Sequence, residues 1–424
     1  VESISVLKDA SSTAVYGARG AFGVVLVTTK SARKDKISVD YSGSVSIISE
    51  TVRPKYETDS QTWYDNYMTA YVGYSHHLPT GINNFFPWTQ SWEDEYKKRM
   101  NDPDRSYLEW ELDASGKYQY YGRNTDWYDL FYKKSTTAHQ HNIRISGGGK
   151  TSSFIASARY YEQDGIYRVG DEKFRQLNAR AKGTVNITKW LTVENNTDFV
   201  RRSYHQPTTY AQNLLVRRNL EHQGFPITRV TNPDGTWTGT PIYNFNPLAS
   251  IKALGRNSTH DRTLQANFQL KERLDFLVEG LYLSEAMSLS SWTRDGASNT
   301  RNYSRWLDGV QQTTDNDTPY TRGEDSGQNQ WTWQHYNATV GYDGTFGRHV
   351  VSASAGILYN IYKTDFSQNG AAGKMVEYRH MTVNGAVNYA YDDRYVATFS
   401  FAADGSDNYR PGNRWGFYPS LGLG

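Results

Sequence analysis

From about Val39 to Gly424, apolar and polar residues alternate with a period of two, in runs separated by polar connectors. Within 382–391 one face reads Val383, Gly385, Val387, Tyr389, Tyr391 and the other Thr382, Asn384, Ala386, Asn388, Ala390. Leu264, Ala266, Phe268 and Leu270 interleave with Thr263, Gln265, Asn267 and Gln269 in the same way. Successive side chains of a strand leave opposite faces of the pleat, so this alternation predicts strands with one apolar and one polar face. They are expected near 38–48, 139–147, 152–162, 174–186, 190–202, 262–270, 273–286, 333–344, 349–362, 379–391, 394–403 and 415–424. Most approach the ~9–11 residues of a tilted strand that crosses a bilayer.

The connectors carry the stronger signal, because they alternate between long and short. The short ones are 148–151, 187–189, Lys271-Glu272, 345–348 and Asp392-Asp393. Between them lie long loops at 49–138, 203–261 and 287–332 and middling ones at 163–173, 363–378 and 404–414. Short turns on one rim and long loops on the other predict a large antiparallel transmembrane β-barrel of the outer-membrane type. A soluble all-β protein is the alternative, and the absence of a repeat of ~40–50 residues counts against a propeller.

Composition narrows the class. Lys and Arg total 46 against 44 Asp and Glu, and the cations form no runs, so a nucleic-acid partner is not expected. There is no cysteine, which excludes disulfides, redox thiols and thiolate metal sites. No apolar run reaches the ~20 residues of a membrane helix. Tyrosine outnumbers phenylalanine, 33 to 16, with 12 tryptophans besides. Rings with a wet edge suit a membrane-interface girdle or a sugar-binding surface.

The first thirty-odd residues differ. A strand at the start leads into a short, small-residue helix that ends at Gly17, and a second strand follows from Gly20 to Lys30. This α+β unit resembles the end of the plug domain in TonB-dependent outer-membrane transporters of the SusC/RagA family. The residues that carry the likeness run Glu2–Ala10, Ala14–Ala21 and Gly23–Lys30, with Lys8, Asp9, Tyr16, Gly17, Arg19, Gly20 and Gly23 inside the family pattern. Asn142–Gly148, Tyr161–Ile166, Asp404-Gly405-Ser406 and Asn413–Gly416 also look like the family.

The resemblance implies a division into the end of a plug, 1–34, and the first part of a barrel, 35–424. It implies that a signal sequence, a TonB-contacting segment and most of the plug precede Val1. It also implies that roughly ten strands of an expected 22 follow Gly424. The implied activity is TonB-dependent import across the bacterial outer membrane, with the plug on the periplasmic side of the lumen and no catalytic residue. The implied partners are a SusD-like surface lipoprotein that acts as a lid, the TonB complex, membrane lipid and lipopolysaccharide, and a second transporter–lipoprotein pair as a dimer mate. Oligosaccharide is the expected substrate; oligopeptide, carried by the same mechanism, is the alternative.

Candidate contacts for substrate or lid are Trp63, Trp88, Trp92, Trp292, Trp306 and Trp331, with Trp333 close by, among amides and acids that could bond hydroxyls. The competing use of these rings is packing the loops on one another. No cofactor or metal is expected. His139 and His141 share a strand face without a third ligand, and the side chains of the adjacent His76 and His77 diverge. Asp315, Asp317, Glu324 and Asp325 match no calcium loop, although calcium on an extracellular loop stays open. Glu93-Asp94-Glu95 reads as a helix face paired with Lys97, Lys98 and Arg99, not as a glycosidase acid pair. Residues 232–235, Asn-Pro-Asp-Gly, form a turn, and Arg19 is expected to hold local structure.

Overall fold

The computed structural model describes residues 3–8, 13, 22–28, 36–82, 86–102, 110–112, 114–116, 118–121, 124–207, 224–238, 246–253, 255–307, 310–313, 316–317, 330–366, 374–392 and 394–424. Strands β1 (Ser3–Leu7) and β2 (Val24–Thr28) form a two-stranded antiparallel sheet of their own. Gly23 enters β2 at φ +97°, where a Cβ would meet the Leu7 carbonyl at 3.1 Å. Of the family-pattern residues, Asp9, Tyr16, Gly17, Arg19 and Gly20 lie outside the described residues, as does the expected helix except Thr13.

Twelve longer strands build one antiparallel sheet whose spatial order is the chain order. They are β3 (Ser38–Ser49), β4 (Ser135–Gly148), β5 (Ser152–Asp164), β6 (Lys173–Asn186), β7 (Leu191–Pro207) and β8 (Gly255–Arg273). They continue with β9 (Leu281–Asn302), β10 (Gln330–Phe346), β11 (His349–Phe366), β12 (Lys374–Tyr391), β13 (Tyr395–Ser406) and β14 (Trp415–Leu423). Each strand pairs with the next, and the long and short connectors alternate as predicted.

Register turns the strand-by-strand alternation into two continuous faces. One row across the sheet reads Tyr41, Ile143, Ala158, Ala179, Phe199, Leu264. On the later strands the same face reads Leu281, Tyr342, Ala353, Val387, Phe399, Leu421. Asn195, Thr197 and Glu285 interrupt this face on β7 and β9. The opposite face carries Asp40, Arg144, Ser157, Arg180, Asp198, Gln265 and Ser290 in one unbroken row.

The polar face is cross-linked. Arg144 meets Asp40 at 2.8 Å, Arg159 donates to the Gln140 carbonyl at 2.6 Å, and Arg180 donates to that of Asn196 at 3.0 Å. Among the described residues nothing packs against the apolar face, and Phe399 and Leu421 are 46% and 70% exposed. An apolar surface this broad suits contact with lipid, with the polar face turned to the lumen. Among the described residues no helix is long and apolar enough to cross a membrane.

Two strand expectations need correction. Lys271 and Glu272 are not a turn. β8 runs on to Arg273 and the connector is 274–280, where Gly280 takes φ +86°. The strands are also longer than read: β8 begins at Gly255 and β9 extends to Asn302, 22 residues in all. Polarity no longer alternates in these upper segments because both faces meet water, while backbone pairing continues to Gly255↔Thr300.

The loops on the long-connector rim fold into a layer with its own core. Helix α1 (Ser60–Ser75) is capped by Asp59, whose carboxylate accepts from the Thr62 amide at 2.8 Å. Helix α2 (Gln90–Met100) is capped by Thr89 and carries Glu93 in its first turn and Lys97, Lys98 and Arg99 in its last, matching the helix dipole. Helix α3 spans Trp127–Phe131 and α4 spans Pro247–Ala253.

Candidate functional site

Three of the singled-out tryptophans serve the loop core. Trp92 is 3% exposed and stacks on Tyr96 at 5.1 Å, while its neighbours Tyr64 and Ile82 are fully buried. The Trp88 indole N–H donates to the Tyr64 hydroxyl at 2.9 Å, and Trp63 lies 4.9 Å from Phe225 of the second long loop. Burial pushes the Tyr64 and Tyr96 hydroxyls well above the ordinary phenol range. Trp92 therefore has no ring face left for a ligand, whereas Trp63 and Trp88 are half-buried against the same cluster.

The same core joins separate loops. Ile227 sits in the cluster with Tyr64 and Trp92. Thr125 donates through its hydroxyl to the Thr228 carbonyl at 2.6 Å, and the Trp127 indole donates to the Phe225 carbonyl at 2.9 Å. A second cluster gathers Trp127, Phe131, Tyr167, Leu248 and Ile251 from three connectors. Trp306 belongs to this layer as well. Its strand, Arg305–Leu307, pairs with Trp237-Thr238, and its carbonyl accepts from the Asn232 amide at 3.1 Å.

Trp292 and Trp331 lie elsewhere. They oppose each other across β9 and β10, on the polar, lumen-side face near the long-loop rim. Register extends the row above Gln265 and Ser290 through Trp333, Tyr362 and Tyr378. Trp331 and Tyr362 have ring centroids 6.4 Å apart, and Tyr362 and Tyr378 stack at 6.2 Å. Trp333 and Tyr378 are 41% and 40% exposed, so each keeps a free ring surface.

Polar groups are interleaved with these rings. Asn360 accepts from the Trp333 indole at 3.3 Å and lies 2.7 Å from Nδ1 of His335. Thr382 donates to Asp404 at 2.6 Å. Arg294 lies over the Trp292 ring at 5.2 Å and is held by Asp261 through two bonds, of 2.7 and 3.0 Å. The outcome is a wall of flat rings with fixed donors and acceptors between them. Tyr362, Tyr378, Asn360 and His335 were not among the residues read from sequence. Their parity with Trp331 on neighbouring strands was the available signal, and using it required the register.

The other candidates resolve plainly. Lys97 pairs with Glu93 at 2.6 Å and Arg99 with Glu95 at 2.8 Å, so the acidic run is a helix face. His139 and His141 have rings 5.3 Å apart, and His141 meets the Tyr41 hydroxyl at 2.8 Å. Among the described residues no three His, Asp or Glu side chains converge as metal ligands. Asp315, Glu324 and Asp325 lie outside the described residues, and only the backbone of Asp317 is described.

No family model matches the chain. It is 24% identical over 458 residues to TonB-dependent receptor P3 of Formosa agariphila, covering 99% of this chain and 39% of that protein. It is 24% identical over 476 residues to TonB-dependent receptor SusC of Bacteroides thetaiotaomicron, covering 100% of this chain and 40% of that protein. The solved structure of the RagAB peptide transporter superposes with a TM-score of 0.65 at 18% identity, covering 99% of this chain and 48% of that one. The chain thus spans about two-fifths of the curated relatives it matches. They are named as receptors. Over its whole length the chain is thus similar to TonB-dependent receptors, SusC among them, and it shares the barrel fold of the RagAB transporter.

Proposed function

We propose that this chain belongs to an importer that carries oligosaccharides across the outer membrane with energy delivered through TonB. The observation that carries the reading is the wall of Trp292, Trp331, Trp333, Tyr362 and Tyr378 on the lumen side of the upper strands. Flat rings cover the apolar faces of pyranose rings, and the half-buried His335 among them, its Nδ1 held by the buried Asn360, leaves its other ring nitrogen for a hydroxyl. A soluble carbohydrate-binding protein would not leave Phe399, Leu421 and their row uncovered. Residues 1–34 are the end of the plug, on the periplasmic side of the lumen, and the barrel begins at 35. The loop layer, cross-linked through Trp127 and Ile227, gives a surface lipoprotein a firm platform for closing over the mouth.

Peptide import is the second reading, favoured by the fold likeness to the RagAB peptide transporter. Calorimetric titration of the full-length protein and its lipoprotein, in detergent, separates the two. Neutral oligosaccharides should bind saturably, and Trp333→Ala should weaken binding by ~1–3 kcal/mol, as loss of a stacking ring does. Heat from mixed oligopeptides alone would replace the sugar reading with the peptide one.

A further inference from the structure

On three adjacent strands the lipid-side apolar run ends at its upper limit in an arginine. On β6 the outward residues read Val185, Gly183, Ala181, Ala179, Leu177 and then Arg175. On β7 they read Val193, Asn195, Thr197, Phe199 and then Arg201, and on β8 Leu270, Phe268, Ala266, Leu264 and then Arg262. Arg201 and Arg262 stand directly opposite each other. Like charges so placed repel, and the pair persists at low cost only if an anion lies between or beside them.

Their neighbours supply that anion unevenly. Arg175 bonds Glu162 at 2.8 Å and Arg262 bonds Asp295, both acids on flanking strands. Further acids, Asp164 and Asp171, are taken by Lys173 at 3.1 Å and Arg256 at 3.3 Å. Arg201, in the middle, has no acid or hydrogen-bond partner among the described residues and is exposed. Above it, His205 and His260 lie with ring centroids 5.9 Å apart. Their Nδ1 atoms meet the Ser258 and Ser203 hydroxyls at 3.0 Å each, which leaves both Nε2 atoms available to an acceptor.

We propose that Arg201 and Arg262, with His205 and His260 above them, hold the phosphate of an outer-leaflet phosphoglycolipid against the outside of the barrel. The vertical order of the surface matches the order of such a lipid. Phe199, Leu177 and Leu264 offer an apolar bed for acyl chains. The arginines stand at the first level above that bed and give the charged donors a phosphate takes best. The histidines above them, oriented by the two buried serines, offer their Nε2 atoms to sugar hydroxyls. Phospholipid has the lower two layers but not the third, which favours the glycolipid.

The test uses the full-length protein in neutral detergent and three probes: bis-phosphorylated lipid A, the same lipid dephosphorylated, and phosphatidylglycerol. Native mass spectrometry reads the bound fraction. The phosphorylated glycolipid should bind roughly tenfold or more tighter than its dephosphorylated form, and R201Q/R262Q should remove that preference. R394Q, at the opposite rim, should leave it intact. Equal binding of both glycolipids would overturn the site, and equal binding of phosphatidylglycerol would overturn its assignment to a glycolipid. If R201Q/R262Q fails to assemble, the comparison among the three lipids on the unmodified protein still decides.

Discussion

Asp261 holds Arg294 by two parallel bonds, of 2.7 and 3.0 Å, and so fixes the guanidinium over Trp292 at the top of the lumen wall. Asp261 is 5% exposed, so removing its partner strands a carboxylate that water cannot fully reach. Arg294→Ala should cost about 3–5 kcal/mol locally. Arg294→Lys keeps the charge but loses the fork, and should recover only part of that. Glycan titration and thermal unfolding of the two variants check this. Both losses should fall in the order Ala, then Lys.

The loop layer should be a cooperative unit. Trp92→Ala empties a site walled by Tyr64, Tyr96 and Tyr121 and should cost about 3–5 kcal/mol of loop stability. Trp88→Phe keeps an aromatic ring but loses the bond to Tyr64 and some packing, and should cost less, about 1–2 kcal/mol. Limited proteolysis of the intact cells' surface should cut 50–134 readily in the first variant and hardly in the second. The barrel should stay assembled in both.

Acid should loosen the same layer. Glu111 accepts from the Tyr121 hydroxyl at 2.7 Å and from Arg99 at 2.9 Å, and the tyrosine bond first, then the arginine, hold its carboxyl below the usual range. A group depressed on folding stabilises at pH above its unfolded value, about 4.3, and that support is lost as pH falls through the folded value. Protease resistance of the loops should therefore decline below about pH 4, and Glu111→Gln should flatten that decline.

Gly280 should resist substitution. Its φ is +86°, and a Cβ there would fall 1.8 Å from the Asp343 carbonyl oxygen on β10. Gly280→Ala should cost about 1–3 kcal/mol in backbone strain alone. Gel mobility with and without heating should show a smaller assembled fraction, whereas Gly149→Ala, with open space around its added methyl, should leave it unchanged.

Much of this fold was legible because each strand writes its two environments into alternate residues. The row Leu264, Ala266, Phe268, Leu270 identified β8 from lipid contact alone. Where both faces meet water, as at Gly255–Asp261, the alternation vanishes and the sequence has the look of a loop. The candidate site was half legible. Composition pointed to tryptophan, but not to which rings face a ligand. Trp92 and Trp331 look alike in sequence, and only helix packing in one case and cross-strand register in the other separates them.

The assignment of faces is open to a direct test with two adjacent residues on β11. Ala355 lies between Val340 and Gly385 on the lipid side, and Ser354 between Gly341 and Ala386 on the lumen side. An arginine on the lipid face deep in the bilayer costs about 2–4 kcal/mol, whereas an arginine in a polar lumen keeps its hydration. Ala355→Arg should therefore lower the assembled fraction sharply, with Ser354→Arg close to the unmodified protein. The same ranking should appear in denaturant unfolding from lipid vesicles. The reverse ranking would put the lumen on the other side of the sheet and turn Trp331, Trp333 and Tyr362 towards lipid, so this pair of variants tests the barrel and its candidate site together.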